Sequence, residues 1–304
     1  MTTLASPPAG PARRIVYLGT PEVAVAPLRA LHASGTEIAL VVTREDKRRG
    51  RGGSLSPSAV KSAAQELGLP VSHAMSDIAA ARPELGVVVA YGRIIPVDLL
   101  RIVPMINVHF SLLPRWRGAA PVERALLAGD TETGICIMRI EEGLDTGEVY
   151  ERVVVPVRPE HTLSTLREEL VNVSLAPLVR AVTLGCGQGE PQSGVVTQAA
   201  KLEPAELQIH FTMSARHVVA LTRLESAWFT YAGGNSSVMR VRVVSAVEVD
   251  ANGEPGSVMQ VGRDGVVVAC GDRAVRLVTV QPAGKSEMSA GAWANGARLP
   301  ASLA

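Results

Sequence analysis

The residues best suited to chemistry lie in two short segments of the chain. The first, NVHFSLLPRWRGAAP at 107–121, begins with Asn107 and His109, and the second, EEGLDTGE at 141–148, contains Asp145. An asparagine amide can donate hydrogen bonds to an oxygen that becomes negatively charged, and a histidine exchanges protons near neutral pH. An aspartate in a glycine-flanked loop can orient the imidazole or relay its proton. Together the three side chains are suited to a reaction at one carbonyl group with one proton transfer.

The spacing of Asn107 and His109 supports that interpretation. Both lie in the run MINVH at 105–109, whose residue types predict a β-strand, and residues i and i+2 of a strand point to the same face. The two polar groups can therefore converge on one substrate atom. The alternative is a hydrogen-bonded polar strand end followed by an ordinary turn. For His109 taken alone, this structural alternative is the better explanation. The sequence around it, at 107–121, favours the catalytic interpretation instead.

Alternating strands and helices are predicted to position these residues. Apolar runs in the amino-terminal half predict strands at 14–22, 37–43, 87–91 and 105–109, with helical spacing at 23–31 and 58–67 between them. Such alternation predicts an α/β fold with a mostly parallel sheet covered on both faces. Ligands bind at the carboxyl ends of such strands, where Gly19, Tyr91 and His109 would fall. The turn at Gly19 lacks the G-x-G-x-x-G spacing, which argues against a nicotinamide cofactor.

The carboxyl-terminal third has a different pattern. Residues 185–206 mix Gly, Gln, Pro, Glu and Ala, which is typical of a connecting segment. A helix is predicted near 214–224. After it, short apolar runs are separated by Asn-Gly, Asp-Gly and Gly-Asp turns, and this pattern predicts a small β-barrel or sandwich. A chain of 304 residues is long enough for two such domains.

Composition narrows the class of protein further. No apolar run reaches the roughly 20 residues that a membrane-spanning helix needs, so we expect a cytoplasmic protein without membrane contact. The Pro- and Ala-rich residues 1–12 are predicted to be a disordered leader rather than a secretory signal. Cys136, Cys186 and Cys270 lack the spacing of a zinc site or a disulfide framework. The net charge of +1 is too small for a general nucleic-acid binder, although 44–51 reads REDKRRGR.

The order of residues in 107–121, together with Leu-Asp-Thr-Gly at 144–147, resembles the methionyl-tRNA formyltransferase family. Further strings resemble the family pattern in the same order, at 15–21, 50–52, 57–61, 87–96, 129–134, 201–202 and 281–285. The resemblance thus extends nearly from end to end. It implies a Rossmann-like catalytic domain at 13–187, a linker at 188–206, and a carboxyl-terminal tRNA-binding domain of the OB type at 207–304.

The resemblance also implies an activity and a set of site residues. The expected reaction is direct transfer of the formyl group of 10-formyltetrahydrofolate to the amino group of methionyl initiator tRNA, for translation initiation, without a metal or a covalent intermediate. A monomer is expected. The matching positions imply a catalytic trio, a folate-binding segment and tRNA contacts: Asn107, His109 and Asp145; Ser111, Leu112, Leu113 and Pro114; and Arg44, Lys47, Arg48, Arg49, Arg51 and Lys201, respectively.

Two other functions stay open at this point. A folate-dependent formyltransferase that acts on a small amine, of the phosphoribosylglycinamide or amino-sugar type, would use the same catalytic residues. A catalytically impaired RNA-binding homologue would result if Phe110, which stands beside His109 where relatives have a small residue, blocked the folate pocket. The basic segment from Arg44 to Ser54 also has an ordinary alternative, a solvated mobile loop. The strings PRWRGAAP and QPAGK favour tRNA.

Overall fold

The computed structural model describes residues 3–49, 53–232, 238–297 and 299–303. Contacts between residues divide the chain into two compact units. Unit 1 comprises the residues up to Val122 together with Glu132–Pro156 and Arg167–Ala200, and unit 2 comprises Glu123–Thr131, Val157–Leu166 and the residues from Lys201 onward. Each unit is thus assembled from separate stretches of sequence, and the boundaries at 13, 188 and 207 stay predictions.

The described residues form strands and helices along the whole chain. The strands are β1 (Arg14–Gly19), β2 (Glu37–Val42), β3 (Lys47–Arg49), β4 (Ser54–Ser56), β5 (Val71–Ser72), β6 (Leu85–Val89), β7 (Met105–His109), β8 (Arg117–Gly118), β9 (Glu132–Arg139), β10 (Val149–Pro156), β11 (Gln198–Ala199), β12 (Trp228–Ala232), β13 (Val238–Val249), β14 (Val258–Gly262), β15 (Gly265–Ala269), β16 (Ala274–Pro282) and β17 (Met288–Ser289). The helices are α1 (Val25–Ala33), α2 (Ala59–Glu66), α3 (Asp77–Ala80), α4 (Val97–Ile102), α5 (Pro121–Ala128), α6 (Leu163–Thr183), α7 (Ala215–Thr222) and α8 (Ala290–Ala297), with short 3-10 turns at Glu22–Ala24 and Pro204–Leu207. In the described part of the chain, no helix has both the length and the apolar character that crossing a bilayer requires.

The main sheet of unit 1 is mixed. Its strand order is β10-β9-β7-β6-β1-β2-β5, with parallel pairing from β5 to β7 and antiparallel pairing of β7 with β9 and of β9 with β10. The central strands β1 and β6 are rich in Val, Ile and Leu, and nearly all their residues are buried. Burial on both faces explains why these strands are apolar throughout instead of alternating. The predicted α/β fold with a mostly parallel sheet is confirmed.

The carboxyl ends of β1, β6 and β7 lie along one edge of this sheet. Gly19 pairs with Val89, and Val88 pairs with Asn107. At Gly19 an added Cβ would lie 2.9 Å from Cβ of Ala24, closer than real contacts allow. Gly19 is thus closely packed against Ala24. We expect a ligand at the edge beside His109, since ligands of such sheets bind at the carboxyl ends of the strands.

The described part of the segment at 1–12 contacts the rest of unit 1. The backbone N–H of Ala5 donates to the carbonyl of Leu100 at 3.0 Å, and that of Ala12 donates to Val182 at 2.8 Å. Leu4 packs against the hydrophobic cluster of the sheet. The assignment of this segment as a disordered leader stays a prediction.

Unit 2 is built on an antiparallel sheet with the strand order β12-β13-β16-β15-β14, and β17 pairs with β16. Helix α7 packs on β13 and β16, and α8 packs on β15 and β16. Phe211, Phe229, Tyr231 and Trp293 form an aromatic cluster with ring centroids 5.4–6.4 Å apart. The predicted small β-domain is confirmed, and within the described residues no ladder joins β12 to β14.

Candidate active site

His109 is the last residue of β7 and is held between two oxygen acceptors. Its Nε2 lies 2.9 Å from the carbonyl oxygen of Trp116, and its Nδ1 lies 3.6 Å from Oδ2 of Asp145. The side chains of His109 and Asp145 are only 5% and 13% exposed. Nε2–H donates to the Trp116 carbonyl, so Nδ1 is the ring nitrogen that faces the carboxylate. Only a ring protonated on both nitrogens donates toward both acceptors.

Asp145 reaches His109 from a loop that begins at the other end of β7. Because β9 runs antiparallel to β7, Ile140 lies beside Met105, to whose carbonyl its backbone N–H donates at 2.9 Å. The loop between β9 and β10 then folds back along the strand toward His109. Asp145 has a backbone φ of 52°, and its Oδ2 accepts the backbone N–H of Gly118 at 2.8 Å. That hydrogen bond aims the carboxylate at the imidazole.

Asn107 completes the predicted trio from the same strand. It lies between Val88 of β6 and Met138 of β9, and it shares the strand face of His109. Asn107 is half-buried. Its side-chain amide makes no hydrogen bond to any residue that the structure describes, so its N–H groups can donate to a ligand. The roles of the three residues in catalysis stay predictions.

Residues 111–114 form a packed loop after β7. Ser111 is fully buried, and its Oγ donates to the carbonyl oxygen of Arg115 at 2.6 Å. Leu113, which precedes a cis peptide bond, packs in a buried cluster with Cys136, Met138 and Val149. Pro114 is also buried, whereas Leu112 is half-buried. Of the four residues predicted to bind folate, Leu112 therefore has the side chain that a ligand can reach.

The sequence missed a second strand segment that supports this loop. Residues 198–199, expected to be part of a linker, form β11 and pair in parallel with β8, so that Gln198 opposes Arg117 and Ala199 opposes Gly118. Just before β11, Oγ1 of Thr197 accepts the backbone N–H of Trp116 at 2.8 Å. The segment thus anchors the backbone of residues 116–118, where the carbonyl of Trp116 binds His109 and the N–H of Gly118 binds Asp145. A two-residue strand gives no periodic signal from which it could be predicted.

Gly118→Ala is expected to disturb this support. Gly118 has a φ of 126°, which side-chain-bearing residues rarely adopt, and an added Cβ would lie 2.7 Å from the carbonyl oxygen of Ala199. Strain of this kind costs about 1–3 kcal/mol. We expect a lower melting temperature and slower turnover, since the N–H that holds Asp145 shifts. Thermal unfolding and an activity assay check this, with Gly10→Ala as control because Gly10 has open space around it; equal behaviour of both variants would contradict it.

Cys136 is a buried residue next to the site. It pairs with His109 across β7 and β9. Burial raises the pKa of its thiol to about 11, which disfavours the reactive thiolate at neutral pH. The described residues hold no cluster of three or more His, Cys, Asp or Glu that could bind a metal.

The predicted tRNA contacts lie apart along the chain. Lys47 and Arg48 are exposed on β3, which forms a hairpin with β4, and Arg44 is half-buried just before it. Arg49 belongs to β3, Arg51 lies outside the described residues, and Lys201 is exposed in unit 2. Both carboxylate oxygens of Asp46 bind Nζ of Lys61 on α2, at 2.9 and 2.8 Å. This acid is therefore paired within the protein, and the exposed side chains of Lys47 and Arg48 on β3 are basic.

Matches to family models place this protein among the formyltransferases. The family model described as formyl transferase matches residues 13–182, and the model described as formyl transferase, C-terminal domain, matches residues 201–298. The methionyl-tRNA formyltransferase from Symbiobacterium thermophilum is 43% identical, over 93% of this chain and 92% of that protein. The one from Pseudomonas putida is 42% identical, over 90% of this chain and 93% of that protein. The one from Neisseria meningitidis is 38% identical, over 93% of this chain and 97% of that protein. The chain therefore belongs to the methionyl-tRNA formyltransferase family, as the resemblance implied.

Solved structures share the fold at low sequence identity. An N-formyltransferase from Helicobacter canadensis matches with a TM-score of 0.62 at 13% identity, over 88% of this chain and 98% of that one. HypX from Aquifex aeolicus matches with a TM-score of 0.57 at 15% identity, over 92% of this chain, although this chain spans only 46% of HypX. These likenesses bear on the fold alone.

Proposed function

We propose that this protein transfers the formyl group of 10-formyltetrahydrofolate to the amino group of methionyl initiator tRNA, the step that prepares this tRNA for translation initiation. The observation that carries the proposal is the approach of Asp145 to His109 beside the amide of Asn107. Relatives named methionyl-tRNA formyltransferase support the tRNA substrate. Membership of the formyl transferase family supports a folate co-substrate, and two proteins that share the fold, HypX and the Helicobacter canadensis enzyme, were solved with tetrahydrofolic acid and folinic acid.

Asn107 is proposed to stabilise the oxygen of the reacting formyl group. The neutral amino nitrogen of the methionyl group attacks the formyl carbon, a new C–N bond forms, and the carbonyl electron pair moves onto oxygen. A fixed amide N–H that points at this oxygen binds the tetrahedral intermediate more strongly than the planar substrate. The half-buried position of Asn107 strengthens that interaction because water competes less there.

His109 and Asp145 are proposed to handle the proton. The attacking nitrogen must lose a proton, and the folate nitrogen must gain one as its bond to the formyl carbon breaks. Nδ1 of His109 and Oδ2 of Asp145 are 3.6 Å apart, too far for a direct hydrogen bond, which leaves both atoms able to contact a substrate group. The ring accepts or donates the proton while the carboxylate stabilises its charged form.

The proposed function is tested by assaying formyl transfer from 10-formyltetrahydrofolate to methionyl initiator tRNA. Elongator methionyl-tRNA and a small amine, such as an amino sugar nucleotide, serve as parallel substrates. The proposal expects efficient transfer to the initiator tRNA and slow transfer to the others. Preferred transfer to the small amine would replace it with the small-molecule formyltransferase alternative. Binding of tRNA without any transfer would support the impaired RNA-binding homologue.

The β3–β4 hairpin is proposed to contact the tRNA backbone through Lys47 and Arg48. The double variant Lys47→Ala/Arg48→Ala is expected to raise KM for tRNA and to lower the slope of log affinity against log salt by about one for each phosphate that is no longer neutralised. Kinetics at several salt concentrations measure this. Arg13→Ala is the matched control because Arg13 is exposed and precedes β1 at the opposite edge of the sheet. Unchanged tRNA kinetics in the double variant would remove the hairpin from the interface.

The protein is further proposed to act as a monomer in the cytoplasm. Its proposed product, a formylated initiator tRNA, is used in translation. Its three cysteines are free, as is usual in a reducing compartment. One copy of the chain supplies the whole candidate site, since Asn107, His109 and Asp145 all lie in unit 1. Light scattering of the purified protein tests the oligomeric state.

A further inference from the structure

Gln192 contacts the Asp145 loop from a distant part of the chain. Its side-chain Nε2 donates to the backbone carbonyl oxygens of Asp145 and of Gly147, each at 2.8 Å. Gln192 is half-buried and lies six residues before β11, in the segment that the sequence predicted to be a linker. Both amide hydrogens of one side chain are therefore used to hold the turn that carries the carboxylate.

Arg117 fixes which way the Gln192 amide faces. The guanidinium donates to Oε1 of Gln192 through Nε at 3.0 Å and through Nη2 at 2.7 Å. With the amide oxygen taken by a cation, the amide nitrogen must point toward the two carbonyl oxygens. The next residue, Gly118, binds Oδ2 of Asp145 through its backbone N–H. The Arg117–Gly118 pair thus holds Asp145 twice, once directly and once through Gln192.

The Asp145 turn combines an uncommon backbone conformation with a close backbone approach. Its φ of 52° is in the left-handed region, which Asp adopts more readily than most residues with a side chain but less readily than Gly. At Gly147 an added Cβ would lie 2.1 Å from the carbonyl oxygen of Arg139, so the turn passes very close to the end of β9. Without the two hydrogen bonds from Gln192, the carbonyl groups of the turn would face solvent and the turn would be free to relax.

We propose that Gln192 is a positioning residue that holds the Asp145 carboxylate at the distance from His109 that catalysis requires. This inference rests on the proposed formyl transfer. Gln192 has no expected contact with the reacting atoms, so its removal changes the rate of the chemical step and leaves substrate binding intact. The effect must pass through Asp145.

The test uses Gln192→Ala and Gln192→Glu in the full chain. In Gln192→Ala, kcat for formyl transfer is expected to fall about 10- to 100-fold with KM values near those of the wild type, because the turn no longer receives two hydrogen bonds. Gln192→Glu keeps the side-chain length and the oxygen that accepts from Arg117, but it has no N–H to donate to the turn. Its kcat is expected to fall at least as far as that of Gln192→Ala. Gln188→Ala is the control, since Gln188 is an exposed residue of the same segment.

Two measurements separate positioning from a general structural effect. In the Asp145→Asn background, Gln192→Ala is expected to slow the residual single-turnover rate little further, because the group it positions has lost its charge. Hydrogen exchange of the backbone amides at 141–148 is expected to quicken in both Gln192 variants, while the melting temperature stays near that of the wild type.

Each outcome has a definite meaning. Wild-type kcat in Gln192→Ala or in Gln192→Glu would overturn the inference, as would an equal fold-loss with and without Asp145→Asn. Unchanged amide exchange at 141–148 would overturn it independently of any activity. If the wild-type protein transfers no formyl group although the exchange effect is present, the proposed function fails and the support of the turn by Gln192 stands.

Discussion

His109→Ala is expected to lower kcat for formyl transfer by about 100- to 10,000-fold, the range that general acid–base catalysis contributes. The variant removes the group that exchanges the proton and leaves Asp145 without the ring that it faces at 3.6 Å. Binding of 10-formyltetrahydrofolate should change far less. Steady-state kinetics with charged initiator tRNA, together with titration of the folate, measure the two effects separately.

Two controls make this result interpretable. His109 is buried, so its replacement also leaves a small cavity, and His109→Gln is the second variant because its amide can still donate to the carbonyl oxygen of Trp116. Loss of activity in both variants at a near-normal melting temperature points to chemistry. His32→Ala, at an exposed position of α1, should behave as the wild type. Near-normal turnover without His109 would refute its assignment.

The architecture around the site follows from sequence patterns that have direct physical causes. Buried parallel strands require apolar runs, so β1, β2 and β6 could be predicted from their Val, Ile and Leu content, and β7 from the apolar residues that flank Asn107. Ser58, whose Oγ accepts the backbone N–H of Lys61, marks the start of α2, and Ser214 marks the start of α7 in the same way. Such local signals predict the positions of strands and helices. The apolar run that predicts β7 therefore also places His109 at the end of that strand.

Elements without a clear local period were not predicted. Helix α4 has only six residues, too few for a convincing helical period, and α8 contains Gly291 and Gly296, which weaken its helical signal. Helix α5 was not predicted either, although its length equals that of α2 and α7. Strand β12 was not predicted either, although it carries three aromatic residues, Trp228, Phe229 and Tyr231. Antiparallel pairing with β13 sets the position of β12 in the sheet, and local sequence patterns do not predict such pairing.

The approach of Asp145 to His109 is the part of the site that local patterns could not predict. The Asp145 loop follows β9, and β9 ends beside Ile106 because β7 and β9 are antiparallel. From that pairing alone, the loop belongs at the edge away from His109. A hydrogen bond from the backbone N–H of Gly118 holds the carboxylate near His109. This contact joins residues 27 positions apart, and no local sequence pattern indicates it. Residue chemistry and the resemblance to a family both linked Asp145 to His109 in advance, but no local pattern placed the two side chains together.

The segment that contains Gln192 and Thr197 illustrates a related difficulty. Its Gly, Pro and polar residues are typical of a connection, and its backbone is mostly irregular. Its importance lies in single side chains that satisfy backbone groups elsewhere, as Thr197 does for Trp116. Residues of this kind are common in loops that support active sites, since buried backbone groups need partners. They become visible only when the three-dimensional contacts are known.

Asp145→Asn is the second large effect, with an expected loss in kcat of about 100- to 10,000-fold. The substitution nearly preserves shape. The asparagine oxygen can accept the backbone N–H of Gly118 as Oδ2 of the aspartate does at 2.8 Å, so the loop keeps its main anchor. What disappears is the negative charge that stabilises a protonated His109. We therefore expect slower turnover with little change in folate affinity or melting temperature, measured by kinetics, titration and thermal unfolding.

The double variant His109→Ala/Asp145→Asn decides whether the carboxylate acts through the ring. If Asp145 only stabilises and orients His109, the double variant should be no slower than His109→Ala alone, since groups that act as a unit show strongly non-additive losses. A further large loss would instead assign Asp145 a direct contact with the proton of the attacking amine. Asp98→Asn, at a surface carboxylate paired with Arg101, is the matched control for the loss of one charge. Full activity of Asp145→Asn itself would exclude the carboxylate from both roles.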